Sequence, residues 1–171
     1  MIVVSNTSPI TNLVAVGQLD LLRQLYEKVF IPPAVSGELT RGDTRQSGAT
    51  NIQMPAWIET RTVTNRALVV ALQMELDEGE AEAIALAREL AADLLLLDER
   101  RGRAVASHLG LRFIGLLGVL IEAKQRGYLP AVRPVLDDLM TKAGFWVSQQ
   151  LYARVLLAAG EEKPHAGGAA S

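Results

Sequence analysis

The stretch Gly79-Glu-Ala-Glu-Ala-Ile-Ala-Leu-Ala-Arg-Glu-Leu90, followed by Asp93 and by Leu94-Leu-Leu-Leu97-Asp98, decides the fold. Ala81, Ile84, Ala85, Leu86 and Leu90 recur at helical spacing, and alanine is the strongest helix former. A helix over 79–90 is therefore expected. Asp93 marks a turn. Leu94–Leu97 shows no polar alternation, which is the pattern of a strand buried on both faces of a parallel sheet. A helix of about twelve residues rises about 18 Å at 1.5 Å per residue. The strand after it runs back antiparallel, so the start of the helix and the end of the strand lie at one end of the sheet. Glu80 and Asp98, 18 positions apart (98 − 80), are thereby brought near each other.

The same alternation extends in both directions. Ile2–Ser5 reads as a buried strand, and Ser8-Pro9 starts a helix, with Ser as cap and Pro at the first helical position. A helix over 19–26 and a strand at Val29-Phe30-Ile31 follow. Pro32-Pro33 then opens a helix through Glu38-Leu39. Residues 42–51 are polar and rich in turn formers, a loop or lid. Trp57–Val63 alternates as an edge strand, and Ala67–Leu76 reads as a helix. Beyond Asp98 come a helix ending at Gly110, a strand at Leu111–Ile114, and helices near 117–125, 132–143 and 148–159. Strands alternating with helices give an α/β fold, a central mostly parallel sheet of 4-5 strands with helices on both faces. One domain over 1–159 and a disordered small-residue tail over 160–171 are expected.

Composition narrows the function classes. The chain has 171 residues, 49% of them hydrophobic, enough for a core without staples. It contains no Cys, which excludes a disulfide framework, a thiolate nucleophile and a thiolate zinc site. The start, Met1–Ser5, has no basic region or cleavage pattern, and no apolar run reaches the roughly 20 residues of a membrane span. A cytoplasmic location without membrane contact is expected. The formal charge is −2, so nucleic-acid binding has to come from a local patch or through bound cations.

Chemistry is concentrated at one sheet edge. Asn6 follows the first strand, Glu38 lies on the helix leaving the second, Glu80 starts its helix, and Asp98 ends the Leu strand. All four converge at the carboxyl end, where open α/β sheets bind ligands. Close carboxylates repel and stay ionised together only around a cation. Oxygen donors select Mg²⁺ or Mn²⁺, and such an ion supports phosphodiester hydrolysis. Each acid also has a structural alternative: Glu80 suits a helix N-terminus, and Asp98 suits a turn.

Four segments carry a family resemblance: Val3-Val-Ser-Asn-Thr-Ser-Pro9, Ile31-Pro-Pro-Ala-Val-Ser-Gly-Glu-Leu39, Leu76-Asp-Glu-Gly-Glu-Ala-Glu-Ala-Ile-Ala-Leu-Ala87 and Leu94-Leu-Leu-Leu-Asp-Glu99. In this order and spacing they resemble the motifs of PIN domains, in a branch related to VapC-type toxin ribonucleases. The resemblance spans about residues 1–157. It implies a three-layer α/β/α fold with a doubly wound sheet, divalent metal, and cleavage of single-stranded RNA, often within a toxin–antitoxin pair; a homodimer is also expected. The family acids fall on Asn6, Glu38, Glu80 and Asp98, with Glu99 as an adjacent candidate. Family members with well-formed sites carry Asp where this chain has Asn6. An amide offers a carbonyl oxygen but no charge. A metal-dependent ribonuclease using Glu38, Glu80 and Asp98 and a weakened module that binds RNA or protein without cutting both remain open. A phosphatase needs an Asp nucleophile after the first strand, and Asn6 stands there.

Thr7, Ser8, Arg100 and Arg101 are candidate contacts to the substrate phosphates, with Arg103 in the same charge run. Ser8 also suits a helix cap, and the arginines a solvated face. Glu82 reads as solvated. Phe145 and Trp146 read as packing the last helix onto the body, with base stacking as the alternative. Leu151, Val155 and Leu156 form a stripe suited to a dimer interface. No Gly-Lys-Ser/Thr follows Gly115, so there is no phosphate loop.

Overall fold

The computed structural model describes residues 1–41 and 53–162. The expected lid at 42–51 lies outside the described residues. Apolar runs become strands where both faces meet helices. β1 (Val3–Ser5), β2 (Val29–Ile31), β3 (Ile58–Thr60), β4 (Leu94–Leu96) and β5 (Phe113–Ile114) form one sheet in the order β3-β2-β1-β4-β5. Every pairing is parallel, which sharpens the expectation of a mostly parallel sheet.

Nine helices connect and flank the strands among the described residues: α1 (Thr7–Ala15), α2 (Asp20–Tyr26), α3 (Pro33–Arg41), α4 (Arg66–Leu72), α5 (Glu78–Glu89), α6 (Arg100–His108), α7 (Leu116–Gln125), α8 (Arg133–Lys142) and α9 (Gln149–Ala158). Period-two side-chain alternation sends each strand into two cores. Val3 and Leu96 join Ile10, Leu22, Leu120 and Leu136 on one face. Val4, Leu95 and Leu97 join Val69, Ile84 and Leu86 on the other. The result is the three-layer α/β/α arrangement.

The expected boundaries shift for local reasons. The Leu helix begins at Glu78, one residue early, because the Asp77 side chain caps it: Asp77 Oδ1 accepts the Glu80 amide at 2.8 Å, and Glu80 Oε2 accepts the Asp77 amide at 3.3 Å. Val155 and Leu156 of the expected dimer stripe are 4% and 0% exposed, within the chain's own core, so of that stripe only Leu151, 37% exposed, stands at the surface. Glu161 and Glu162, assigned to the tail by composition, touch the body. Glu161 accepts the amides of Val132 and Arg133 at 2.7 and 3.0 Å and pairs with Lys124, while Glu162 pairs with Arg133. A carboxylate there complements the positive end of α8.

One topological fact positions the site. From β1 the chain moves outward through β2 and β3, then returns to the other side of β1 as β4. The ends of β1 and β4 are therefore adjacent at the point where strand order reverses, the usual ligand crevice of such sheets. Their register, Ser5 opposite Leu96, sets Asn6 beside the start of the Asp98-Glu99 segment, and the Asn6 amide donates to Leu96 O at 3.0 Å.

Candidate active site

Four acidic residues reach this crevice from three elements. Glu38 comes from α3, Glu80 from the first turn of α5, and Asp98 and Glu99 from the turn between β4 and α6. Glu99 faces β1: its Oε2 accepts from Asn6 Nδ2 and its Oε1 from Ser8 Oγ, both at 3.2 Å. Thr7 Oγ1 donates to Glu38 Oε2 at 2.5 Å. The polar run Asn6-Thr7-Ser8 at the start of α1 thus holds two carboxylates, Glu99 and Glu38, rather than facing solvent. α1 starts at Thr7 with Asn6 at its cap position, so Ser8 and Pro9 lie inside the first turn rather than at cap and first position, and the Ser8 hydroxyl donates to Glu99 instead.

Asp98 points the other way. Its Oδ1 accepts the Leu116 amide at 2.9 Å, at the N-terminus of α7, and lies 3.8 Å from Arg103 Nη2. Its Oδ2 is buried with no hydrogen-bond partner. Consecutive residues leaving a strand diverge, so of the pair Asp98-Glu99 only Glu99 shares hydrogen bonds with Asn6. Of the nearby arginines, Arg103 approaches Asp98, its Nε donating to Leu97 O at 2.9 Å. Arg101 turns to Glu75 O at 3.4 Å, and Arg100 is exposed.

The electrostatics are those of crowded acids. Glu80 is 7% exposed. Burial, reinforced by Asp77, Glu99 and Glu38, pushes its carboxyl up to about 7. Burial also raises Glu38, with the Thr7 hydrogen bond opposing, and raises Asp98, with the Leu116 amide opposing. Among the described residues no ion pair involves Glu38, Glu80 or Glu99. Two glycines make room for the acids. A Cβ at Gly79 would stand 2.7 Å from Glu38 Oε1, and one at Gly115 would stand 2.7 Å from Asp98 Oδ1.

Glu82, expected in water, is 3% exposed. It accepts the Ala34 amide at 3.0 Å and pairs with Arg66 at 3.1 Å. It therefore fixes the N-terminus of α3, the helix that carries Glu38. No sequence signal marks it, since its partner amide is set by how α3 packs on α5.

The donor set suits a hard divalent cation: carboxylate oxygens, the Asn6 carbonyl, and an Asp98 oxygen still lacking a partner. As the side chains stand, no three acidic or histidine groups among the described residues close on a common point. A cation would have to draw them together.

A family model described as a PIN domain matches residues 2–161. No curated protein and no solved structure matches the chain significantly. Among the described residues no helix is long and apolar enough to cross a membrane.

Proposed function

The chain belongs to the PIN-domain family, a nuclease-type fold associated with nucleic acid, and from that premise we propose that it is a metal-dependent endoribonuclease hydrolysing single-stranded RNA. The observation that carries this reading is the nearness of Glu38 and Glu99 to the buried Glu80 at the strand-order reversal, enough to push its carboxyl up, with no ion-pair partner among the described residues. Crowding two half-buried acids against a buried one costs stability, which a bound cation would offset. Glu38, Glu80, Asp98 and Glu99, with the Asn6 carbonyl, would hold Mg²⁺ or Mn²⁺. When bound, the ion supplies a Lewis acid that offsets phosphoryl charge and acidifies the attacking water.

The chain's own groups do the rest. Ser8 and Asn6 orient Glu99, and Thr7 orients Glu38. The Glu80 carboxyl, held up to about 7 by burial and the neighbouring acids, gives up its proton as the cation binds. The α7 N-terminus and Arg103 keep Asp98 in place. Calorimetry with Mn²⁺ on the wild type and on Asp98→Ala tests the reading. Binding at micromolar to low-millimolar levels, lost in the variant and accompanied by Mn²⁺-dependent cleavage, is expected. A wild type that binds no Mn²⁺ ends it.

Asn6 supports a second reading, a PIN module that binds RNA or a partner protein without cutting. Its amide already gives Glu99 a donor in place of a cation. Metal binding without cleavage of any RNA would favour it. The VapC-like role, toxin of a pair with a small antitoxin protein, extends the first reading. Growth arrest on induction, abolished by Asp98→Ala, tests that extension.

A further inference from the structure

Trp146 contributes nothing to the core. It is 82% exposed, between the half-buried Phe145 and the buried Val147 in the turn from α8 to α9. The sequence reading assigned it to packing, and the structure removes that role. Trp146 stands at a groove of about 780 Å³ between α7 and α9. Leu117, Ile121, Leu151, Val155 and Leu157 line it. Asp98 and Arg103 belong to the same lining, so the groove reaches the candidate site at Asp98, on the side turned away from Asn6 and Glu99.

The charges in the groove are lopsided. Its cations are Arg103 and Arg154, and its single acid is Asp98. Arg154 is exposed, and among the described residues it has no ion-pair partner. An apolar floor with an exposed indole and two guanidiniums is the combination that binds single strands: aromatic faces stack bases and cations follow the backbone. A seat for an apolar protein helix has no need of the two arginines, and it gains nothing from ending at Asp98.

We propose that this groove is the track by which single-stranded RNA leaves the acidic site, with a nucleobase stacked on Trp146 and backbone phosphates met by Arg154 and Arg103. The assignment rests on the ribonuclease reading and adds to it a subsite off the metal centre. Stacking tolerates any base, so the subsite sets affinity and strand polarity rather than sequence.

The test is an anisotropy titration of a labelled single-stranded RNA eight-mer in Mn²⁺, with the Glu80→Gln protein to prevent cleavage. Adding Trp146→Ala is expected to weaken binding about tenfold or more, while Trp146→Phe stays close to the parent. An eight-mer of abasic residues binds parent and Trp146→Ala alike. Arg154→Ala weakens binding and lowers the salt slope by about one. Equal affinity of parent and Trp146→Ala overturns the proposal, as does an equal loss with abasic RNA. A protein occupant gives the first of those results. Cleavage is measured separately, on protein retaining Glu80. Its absence beside normal, Trp146-dependent RNA binding overturns the ribonuclease reading and leaves the groove assignment standing.

Discussion

Asn6→Asp exchanges a donor for an acceptor beside Glu99. In the wild type the Asn6 amide donates to Glu99 Oε2 at 3.2 Å. Loss of a hydrogen bond to a charged group costs about 1.5–3 kcal/mol. The new carboxylate also repels Glu99: unit charges about 5 Å apart at an effective dielectric of about 20 cost about 3 kcal/mol. Rotation and proton uptake relieve part of the sum, so about 2–4 kcal/mol of destabilisation is expected in the metal-free protein. At about 2–4 °C per kcal/mol for a chain this size, Tm falls by roughly 5–15 °C. A cation reverses the sign, because the added charge then attracts. Mn²⁺ affinity rises at least about tenfold, and saturating Mn²⁺ closes the gap in Tm. Thermal melts in chelator and in Mn²⁺, with calorimetry, read both effects. Asn6→Ala, which loses the bond without adding charge, separates the two terms. An Asn6→Asp protein as stable as wild type in chelator, or with unchanged Mn²⁺ affinity, would refute the reasoning about this site.

Gly79→Ala places a Cβ 2.7 Å from Glu38 Oε1 and pushes that carboxylate aside. Urea denaturation is expected to show a change within about 1 kcal/mol, since alanine favours the helix, while calorimetry shows Mn²⁺ affinity down several-fold. Glu80, at about 7 when folded against an ordinary 4.5, holds a proton that the unfolded chain releases. Stability in chelator therefore falls as pH rises from about 5 to 7, by at most about 3 kcal/mol. Glu80→Gln lessens that slope, leaving the part that the raised Glu38 and Asp98 carry, and an unchanged slope refutes the assignment to Glu80. Glu82→Ala strands the Ala34 amide and is expected to cost about 2–3 kcal/mol in urea. A cost under about 0.5 kcal/mol contradicts the structural role given to it.

The sheet was legible because its strands are buried on both faces. Val3-Val4 and Leu94–Leu97 have no polar alternation, and only a parallel sheet between helices accommodates that. The placement of Asn6, Glu38, Glu80 and Asp98 at one end of the sheet was legible because the end of a parallel strand and the start of the next helix share an edge, though Asp98 turns from the others toward Leu116. Their partners were not. Whether Asp98 or Glu99 turns toward Asn6 depends on a single backbone step after β4. The burial of Glu82 depends on α3 packing across α5, a contact between residues 48 positions apart. The exposure of Trp146 is equally invisible, because an aromatic between apolar neighbours reads as core whichever way its loop turns.

The capping box at the head of α5 has a further consequence. Glu80 Oε2 already accepts the Asp77 amide, so the carboxylate that starts the helix is one the proposed metal also requires. Helix nucleation and cation capture then compete for a single group. Loading the site should quicken amide hydrogen exchange at Asp77 while slowing it along α3, giving a residue-level signature of occupancy in the backbone, away from the reacting atoms.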